Sequence, residues 1–95
     1  MSITKEDLEN YANDYPNCMF VIYANWCGHC QTMKEKLGKY FNLNYDIIMF
    51  LEESEISNDL KDYFPHIHVY ENGVRRDGSL DELYDWIDNF KQSEK

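Results

Sequence analysis

Two cysteines, Cys27 and Cys30, lie three positions apart in the pentapeptide Trp26-Cys27-Gly28-His29-Cys30. Two thiols at this spacing can cycle between a dithiol and a disulfide, because one can attack a substrate disulfide and the other can resolve the mixed disulfide that forms. Gly28 leaves the approach to the sulfurs uncrowded. The spacing therefore predicts redox chemistry, with Cys27 as the nucleophile and Cys30 as the resolving thiol.

The sequence on either side of the motif favours a low pKa at Cys27. Residues 19–24 form a continuous apolar run, typical of a strand buried on both faces, and residues 31–37 are mostly good helix formers. Cys27 thus falls at the first turn of a helix, where a thiol pKa of about 8.5 can drop to roughly 3.5 to 7.5. His29, when protonated, adds positive charge beside the thiolate and favours a more oxidising couple.

Residues 20–30 read FVIYANWCGHC, which resembles the active-site strand and turn of the thioredoxin superfamily, and WCGHC is similar to the signature of protein disulfide isomerase domains. A second family feature, a cis proline opposite the CxxC pair, is matched by Phe64-Pro65 and the strand after it. The resemblance covers nearly the whole chain. It implies an α/β, thioredoxin-like fold: one domain over residues 1–95, with a central mixed four-stranded sheet flanked by helices and a cis-Pro65 loop facing the CxxC.

The same resemblance implies a thiol-disulfide oxidoreductase that acts on protein substrates carrying disulfides or thiols. A reductase or glutathione would supply electrons, and the redox-active Cys27–Cys30 disulfide would replace any separate cofactor or metal. The implied catalytic residues are Cys27, Cys30, His29 and Gly28, and the implied substrate contacts are Trp26, Phe64 and Pro65.

The chain departs from thioredoxins and disulfide isomerases at the position six residues before the first cysteine. Those proteins carry a buried acidic residue there, which moves protons for the second thiol, whereas this chain has Val21. The next strand, which in thioredoxins commonly supplies a lysine partner for that acid, is apolar at its centre. We therefore expect the proton of Cys30 to leave through water or His29.

Other departures resemble glutaredoxins and leave a glutathione-dependent reductase open as an alternative. Glu35 stands where a proline kinks the thioredoxin helix, and Asp81-Glu82 falls where glutaredoxins place acidic residues that hold the amino group of glutathione. However, Ala24 occupies the position of the lysine that glutaredoxins carry three residues before the first cysteine.

Two non-catalytic alternatives start from the same residues. The domain could be an interaction module that holds partners in a groove beside Trp26 and Pro65. A metal site could also combine the CxxC pair with His66 and His68, which lie in the segment expected to face it. Side chains at i and i+2 of a strand are about 7 Å apart, so both histidines fit poorly into a tetrahedron with bonds of roughly 2.0 to 2.3 Å.

Composition limits the partners. The chain has 18 acidic and 9 basic residues, a net charge of −9, and Arg75-Arg76 as its only adjacent basic pair. Nucleic-acid binding needs clustered cations, so we expect no nucleic acid as partner. Apolar runs are about half of the roughly 20 residues that span a bilayer, and no signal-peptide or retention pattern is present. We therefore expect a cytoplasmic monomer without a membrane anchor.

Hydrophobic periodicity and turn residues predict the order of the elements. Thr4 and Asp7 predict a capping box at the start of a first helix. The later predicted elements are a βαβ unit whose second strand runs from about Tyr45 to Glu52, a short helix over residues 58–63, a hairpin turn at Asn72-Gly73, and a last helix over residues 80–90.

Overall fold

A four-stranded mixed sheet lies at the centre of the structure, a computed structural model that describes residues 2–41 and 46–93. The predicted sheet flanked by helices is confirmed. The strand order is β2-β1-β3-β4. In chain order the elements are α1 (Lys5–Asp14), β1 (Cys18–Tyr23), α2 (Gly28–Leu37), β2 (Ile48–Glu52), β3 (His66–Glu71), β4 (Val74–Asp77) and α3 (Leu80–Ser93).

The register of β1 fixes the sheet. Strand β1 is parallel to β2, with Val21 beside Phe50, and antiparallel to β3, with Val21 beside Ile67. Strands β3 and β4 form the predicted antiparallel hairpin. Its turn residues Asn72 and Gly73 have φ values of 53° and 82°, the left-handed conformation that tight hairpin turns require.

Alternate residues of β1 pack on opposite faces of the sheet. Val21 and its same-side neighbours contact a core cluster shared with α2 and α3. Phe20 and Ile22 contact a second cluster, which is shared with α1. All six residues of β1 are buried, so the strand is covered on both faces, as its unbroken apolar sequence predicts.

The start of α1 also matches its prediction. The Thr4 hydroxyl accepts a hydrogen bond from the Asp7 backbone N–H at 3.1 Å, and the Asp7 carboxylate accepts one from the Thr4 N–H at 2.9 Å. This reciprocal capping box satisfies two N–H groups that the first turn leaves free.

Two predicted elements are shorter than expected. Strand β2 begins at Ile48, not near residue 45: Asp46 and Ile47 form a bend, and Tyr45 lies outside the described residues. The helix predicted over residues 58–63 is wrong beyond Leu60, because only a 3-10 turn, Asn58–Leu60, forms there. The Lys61 N–H bonds to the Asn58 carbonyl, and the chain then bends toward Pro65.

The last helix is longer than expected. Helix α3 runs to Ser93, beyond the predicted end at Phe90, because Lys91, Gln92 and Ser93 include neither proline nor glycine to stop it. Within residues 2–41 and 46–93, no helix has the length and apolar character needed to cross a bilayer.

Gly78, between β4 and α3, approaches β3 too closely for a side chain. A Cβ atom there would lie 2.5 Å from Val69 Cγ2 and 2.9 Å from Ile67 Cγ2. Val69 and Ile67 are buried, so neither can move away freely. We predict that Gly78→Ala lowers the free energy of unfolding by about 1 to 3 kcal/mol, measured by urea denaturation.

Gly28→Ala is the matched control for this prediction. A Cβ atom at Gly28 would meet nothing within 4 Å, and alanine favours the helix that Gly28 begins. The control variant should therefore be as stable as the native chain or slightly more stable. Equal losses in both variants would contradict the packing argument.

Candidate active site

The carboxyl end of β1 and the start of α2 position the two cysteines of the motif. Cys27 is the N-cap residue of α2, with its N–H bonded to the Ala24 carbonyl at 3.2 Å and its own carbonyl accepting from Gln31 at 3.1 Å. Cys30 follows in the first helical turn and is fully buried, whereas Cys27 is partly exposed. The structure thus places both cysteines at the start of a helix, as the sequence predicts.

The start of the helix stabilises a thiolate at Cys27. The backbone N–H of Cys30 has the largest effect and lowers the pKa of Cys27. Desolvation opposes it, while the Cys30 thiol and the His29 backbone N–H lower the pKa of Cys27 further. The pKa of Cys27 therefore lies below its ordinary value, because N–H groups that the helix cannot use point at the sulfur.

Cys30 has the opposite environment. Burial raises the pKa of Cys30 to about 11, although the Ala24 backbone N–H, which donates to the Cys30 sulfur at 3.4 Å, opposes that shift. Lys34, one turn further along α2, favours the thiolate to a smaller extent. At neutral pH Cys27 is the thiol that ionises more readily, and Cys30 keeps its proton.

Val21 lies in the same core cluster as Cys30 and is fully buried. In the described ranges no carboxylate hydrogen bonds to the Cys30 thiol, whose described partners are the Ala24 N–H and the Cys27 thiol. The position of the missing acid is therefore filled by apolar packing.

The proline loop brings a backbone carbonyl to Cys27. The Phe64–Pro65 peptide bond is cis, and the Phe64 carbonyl accepts a hydrogen bond from the Cys27 thiol at 3.4 Å. Strand β3 begins directly after this loop, at His66. The fold therefore brings the proline loop into contact with Cys27, although 37 positions separate Cys27 from Phe64.

Trp26 lies on the outside of this loop. Its ring meets the ring of Phe64 edge-on with centroids 5.7 Å apart, and its indole N–H donates to the Glu53 carboxylate. The side chain is 69% exposed, so it borders the site without covering it. The contact with Glu53 was missed by sequence reasoning, because nothing in the local pattern relates residues 27 positions apart.

Gly28 and His29 form the exposed first turn of α2. Gly28 leaves open space beside the sulfurs. The described contribution of His29 to the thiolate is its backbone N–H. Tuning of the redox couple by the His29 imidazole stays a prediction.

The segment that carries His66 and His68 meets Cys27 at Phe64, as expected, but the two histidine side chains lie on the opposite face of the sheet. Along β3 they share a face with Tyr70, which packs toward α1, whereas Ile67 and Val69 pack in the cluster that contains Cys30. Side chains alternate between the two faces of a sheet along a strand, so residues 66, 68 and 70 share one face and residues 67 and 69 share the other.

Both histidines are buried and bonded to β4. His66 Nε2 lies 2.9 Å from an Asp77 carboxylate oxygen, and Arg75 Nε donates to His68 Nδ1 at 2.7 Å. Burial, aided by the positive charge of Arg75 and by His66, lowers the pKa of His68 to about 3. In the part of the chain that the structure describes, no three His, Cys, Asp or Glu side chains are grouped to hold a metal ion.

The third cysteine, Cys18, begins β1 and is fully buried. Burial raises the pKa of Cys18 to about 11, so its thiol is a poor nucleophile at neutral pH. Roughly 20 Å of extended chain separates it from Cys27, more than a disulfide can bridge.

Glu82, one of the two acidic residues that suggested a glutathione site, is engaged within the chain. Arg76 donates to both oxygens of its carboxylate, at 2.9 and 2.6 Å. This bidentate pair lowers the pKa of Glu82 and occupies the group that would have to hold an amino group.

Comparison with known proteins identifies the fold. No protein-family model matches the chain, and no curated protein sequence matches it significantly. Trichomonas vaginalis thioredoxin is 18% identical with a TM-score of 0.58, and the match covers 95% of this chain and 94% of that one.

Two further solved structures are similar over most of this chain. The first thioredoxin domain of mouse protein disulfide-isomerase A4 is 20% identical with a TM-score of 0.52, covering 93% of this chain and 72% of that one. Human ERp44 in a zinc-bound form is 19% identical with a TM-score of 0.51, and this chain spans 30% of its length. These likenesses show that the chain has the thioredoxin fold.

The different environments of the two thiols predict different alkylation profiles. In Cys30→Ser, Cys27 should react with iodoacetamide at a lower pH midpoint than an unperturbed thiol, because the variant keeps the backbone N–H that contributes most. In Cys27→Ser, Cys30 should react appreciably only in strongly alkaline solution. Peptide mapping by mass spectrometry locates each adduct. A shared midpoint would show that the helix start does not distinguish the thiols.

Proposed function

We propose that the protein is a thiol-disulfide oxidoreductase that exchanges disulfides with protein substrates through Cys27 and Cys30. The observation that carries this proposal is the contrast between the two thiols. Cys27 is accessible and has a lowered pKa, whereas Cys30, in the same helical turn, is buried and has a raised one. Such a pair is suited to attack followed by resolution. The thioredoxin fold supports the same conclusion.

In the proposed reaction the Cys27 thiolate attacks one sulfur of a substrate disulfide. The substrate S–S bond breaks, one substrate thiolate leaves, and a mixed disulfide to Cys27 forms. Cys30 then loses its proton and attacks the Cys27 sulfur, which releases the second substrate thiolate. The substrate gains two electrons and the chain is left with a Cys27–Cys30 disulfide. The reverse sequence donates a disulfide.

The proton of Cys30 must leave during the second step. Because Val21 replaces the buried acid, we propose that water or the exposed His29 accepts that proton. The Cys30 thiol is protonated at neutral pH in the free protein. We propose that it loses its proton only after Cys27 has attacked, because the bound substrate changes its surroundings.

The proline loop is proposed to hold the substrate. An extended segment can pair with the backbone at Phe64, beside the carbonyl that already contacts the Cys27 thiol. Trp26 borders the same place and Pro65 shapes the loop. Electrons would come from a reductase or from glutathione. The pairing of Glu82 with Arg76 weighs against a dedicated glutathione site.

Single cysteine variants test the division of roles. We predict that Cys27→Ser abolishes reduction of a disulfide-bonded model protein by the pre-reduced enzyme. Cys30→Ser should accumulate a mixed disulfide that mass spectrometry detects, because nothing resolves it. Cys18→Ala, which changes a buried thiol outside the site, serves as the control and should keep turnover. Equal residual turnover in the two active-site variants would contradict the assigned roles.

The reduction potential tests the direction of exchange. The chain is equilibrated in graded mixtures of reduced and oxidised glutathione, and the Cys27–Cys30 disulfide is followed by alkylation mass. A potential near −180 mV would indicate an oxidase or isomerase, and one near −270 mV a reductant. Failure to form the disulfide at any potential would favour the non-catalytic interaction module instead.

A further inference from the structure

Two large aromatic side chains are exposed at the positions directly before Cys27 and Phe64 in the chain. Trp26 is 69% exposed and Tyr63 is 51% exposed. Trp26 contacts the ring of Phe64, the residue whose carbonyl meets Cys27, and Tyr63 directly precedes Phe64 in the chain. We call Trp26, Tyr63 and Phe64 the aromatic surface. Exposed aromatic area of this kind next to a reactive group marks a binding surface.

Both exposed rings are held in place by polar partners. The Trp26 indole N–H donates to Glu53. The Tyr63 ring stacks on the buried His66 ring, with centroids 4.4 Å apart and planes 29° from parallel, and His66 is anchored to Asp77. The rings therefore lose little conformational freedom when they contact a partner.

The chain that connects the two exposed rings is strongly acidic. Residues 52–62 run from the strand end beside Trp26 to the residue before Tyr63, and they contain five acidic side chains against Lys61 alone. Contacts with Ser54 and Ser57 lower the pKa of Glu52 and of Asp59, which keeps both carboxylates ionised.

A cation on the opposite side of the site is already engaged. Lys34 donates to the Asn25 side chain at 2.5 Å and lies over the ring of Tyr23. Lys34 also helps to lower the pKa of Glu52, so it offsets part of the negative charge that borders the aromatic surface. Exposed indole and phenol faces attract cations, and a carboxylate beside an indole suits a guanidinium group.

We propose that the aromatic surface selects substrate segments that carry arginine or lysine next to the reacting cysteine. The cationic group stacks on Trp26 and pairs with Glu53, whose carboxylate accepts the indole N–H. This inference rests on the proposed oxidoreductase function and adds the class of substrate to it.

Three disulfide-linked peptides test the selection. They are identical except that the residues flanking the cysteine are arginine, glutamine or glutamate, and kcat/KM for their reduction is measured at low and high salt. We expect the arginine peptide to react about threefold to tenfold faster than the glutamine peptide and the glutamate peptide to react slowest. The differences should shrink in high salt, because the acidic border is exposed.

Matched variants locate the effect. Glu53→Gln should reduce the preference for arginine, and Asp85→Asn, which removes one negative charge from an exposed position on α3, should not. Trp26→Ala should also reduce the preference, because it removes the ring on which the cation stacks. An equal effect of Glu53→Gln and Asp85→Asn would mean that net charge, not this surface, sets the preference, and would overturn the inference.

The outcomes separate this inference from the proposed function. Equal rates for the three peptides would overturn the charge selection while leaving the oxidoreductase function intact. If none of the peptides is reduced, binding of the same peptides with serine in place of cysteine is measured by NMR shift mapping. Tighter binding of the arginine peptide at Trp26 and Tyr63 would then support the surface without the chemistry, and equal binding would overturn it.

Discussion

Burial of β1 on both faces is the constraint on which the rest of the structure depends. With Val21 packed toward α2 and Phe20 packed toward α1, a shift of one residue would exchange the contents of the two cores. The register is therefore fixed, and the carboxyl end of β1 has one position relative to β3. Cys27 follows β1 and Phe64 precedes β3, so the register between these two strands brings the two residues together. The position of Cys27 relative to the proline loop is thus set by the packing of β1.

The same packing explains why two cysteines in one helical turn differ. Cys27 caps the helix at its open end, where free N–H groups stabilise negative charge, while Cys30 turns into the cluster that contains Val21. In this chain the second thiol is surrounded by apolar groups and a backbone amide in place of a carboxylate. In the proposed reaction, release of its proton therefore depends on how far a bound substrate and water change that environment.

The sequence correctly predicted those features of the fold that depend on residues close together in the chain. The apolar run of β1, the capping box at Thr4, the Asn72-Gly73 turn and the spacing of the two cysteines each have a cause within a few positions of sequence. The end of the 3-10 turn at Leu60 and the start of β2 were misplaced, since neighbouring elements set them. Contacts between distant segments, such as Trp26 with Glu53 or Tyr63 with His66, follow from the completed fold and have no signature in the pattern.

The end of β2 also affects how the sheet meets other chains. Strand β2 lies at an edge of the sheet, and edges with free backbone groups invite pairing with a second molecule. Here the strand stops at Glu52, whose N–H is taken by the Glu55 carboxylate at 2.9 Å, and Glu52 in turn accepts from the Ser54 N–H at 2.7 Å. In the turn after β2, carboxylates accept hydrogen bonds from backbone N–H groups at the end of the edge strand and add negative charge there. The turn therefore opposes edge-to-edge aggregation at the end of the sheet where Cys27 is partly exposed.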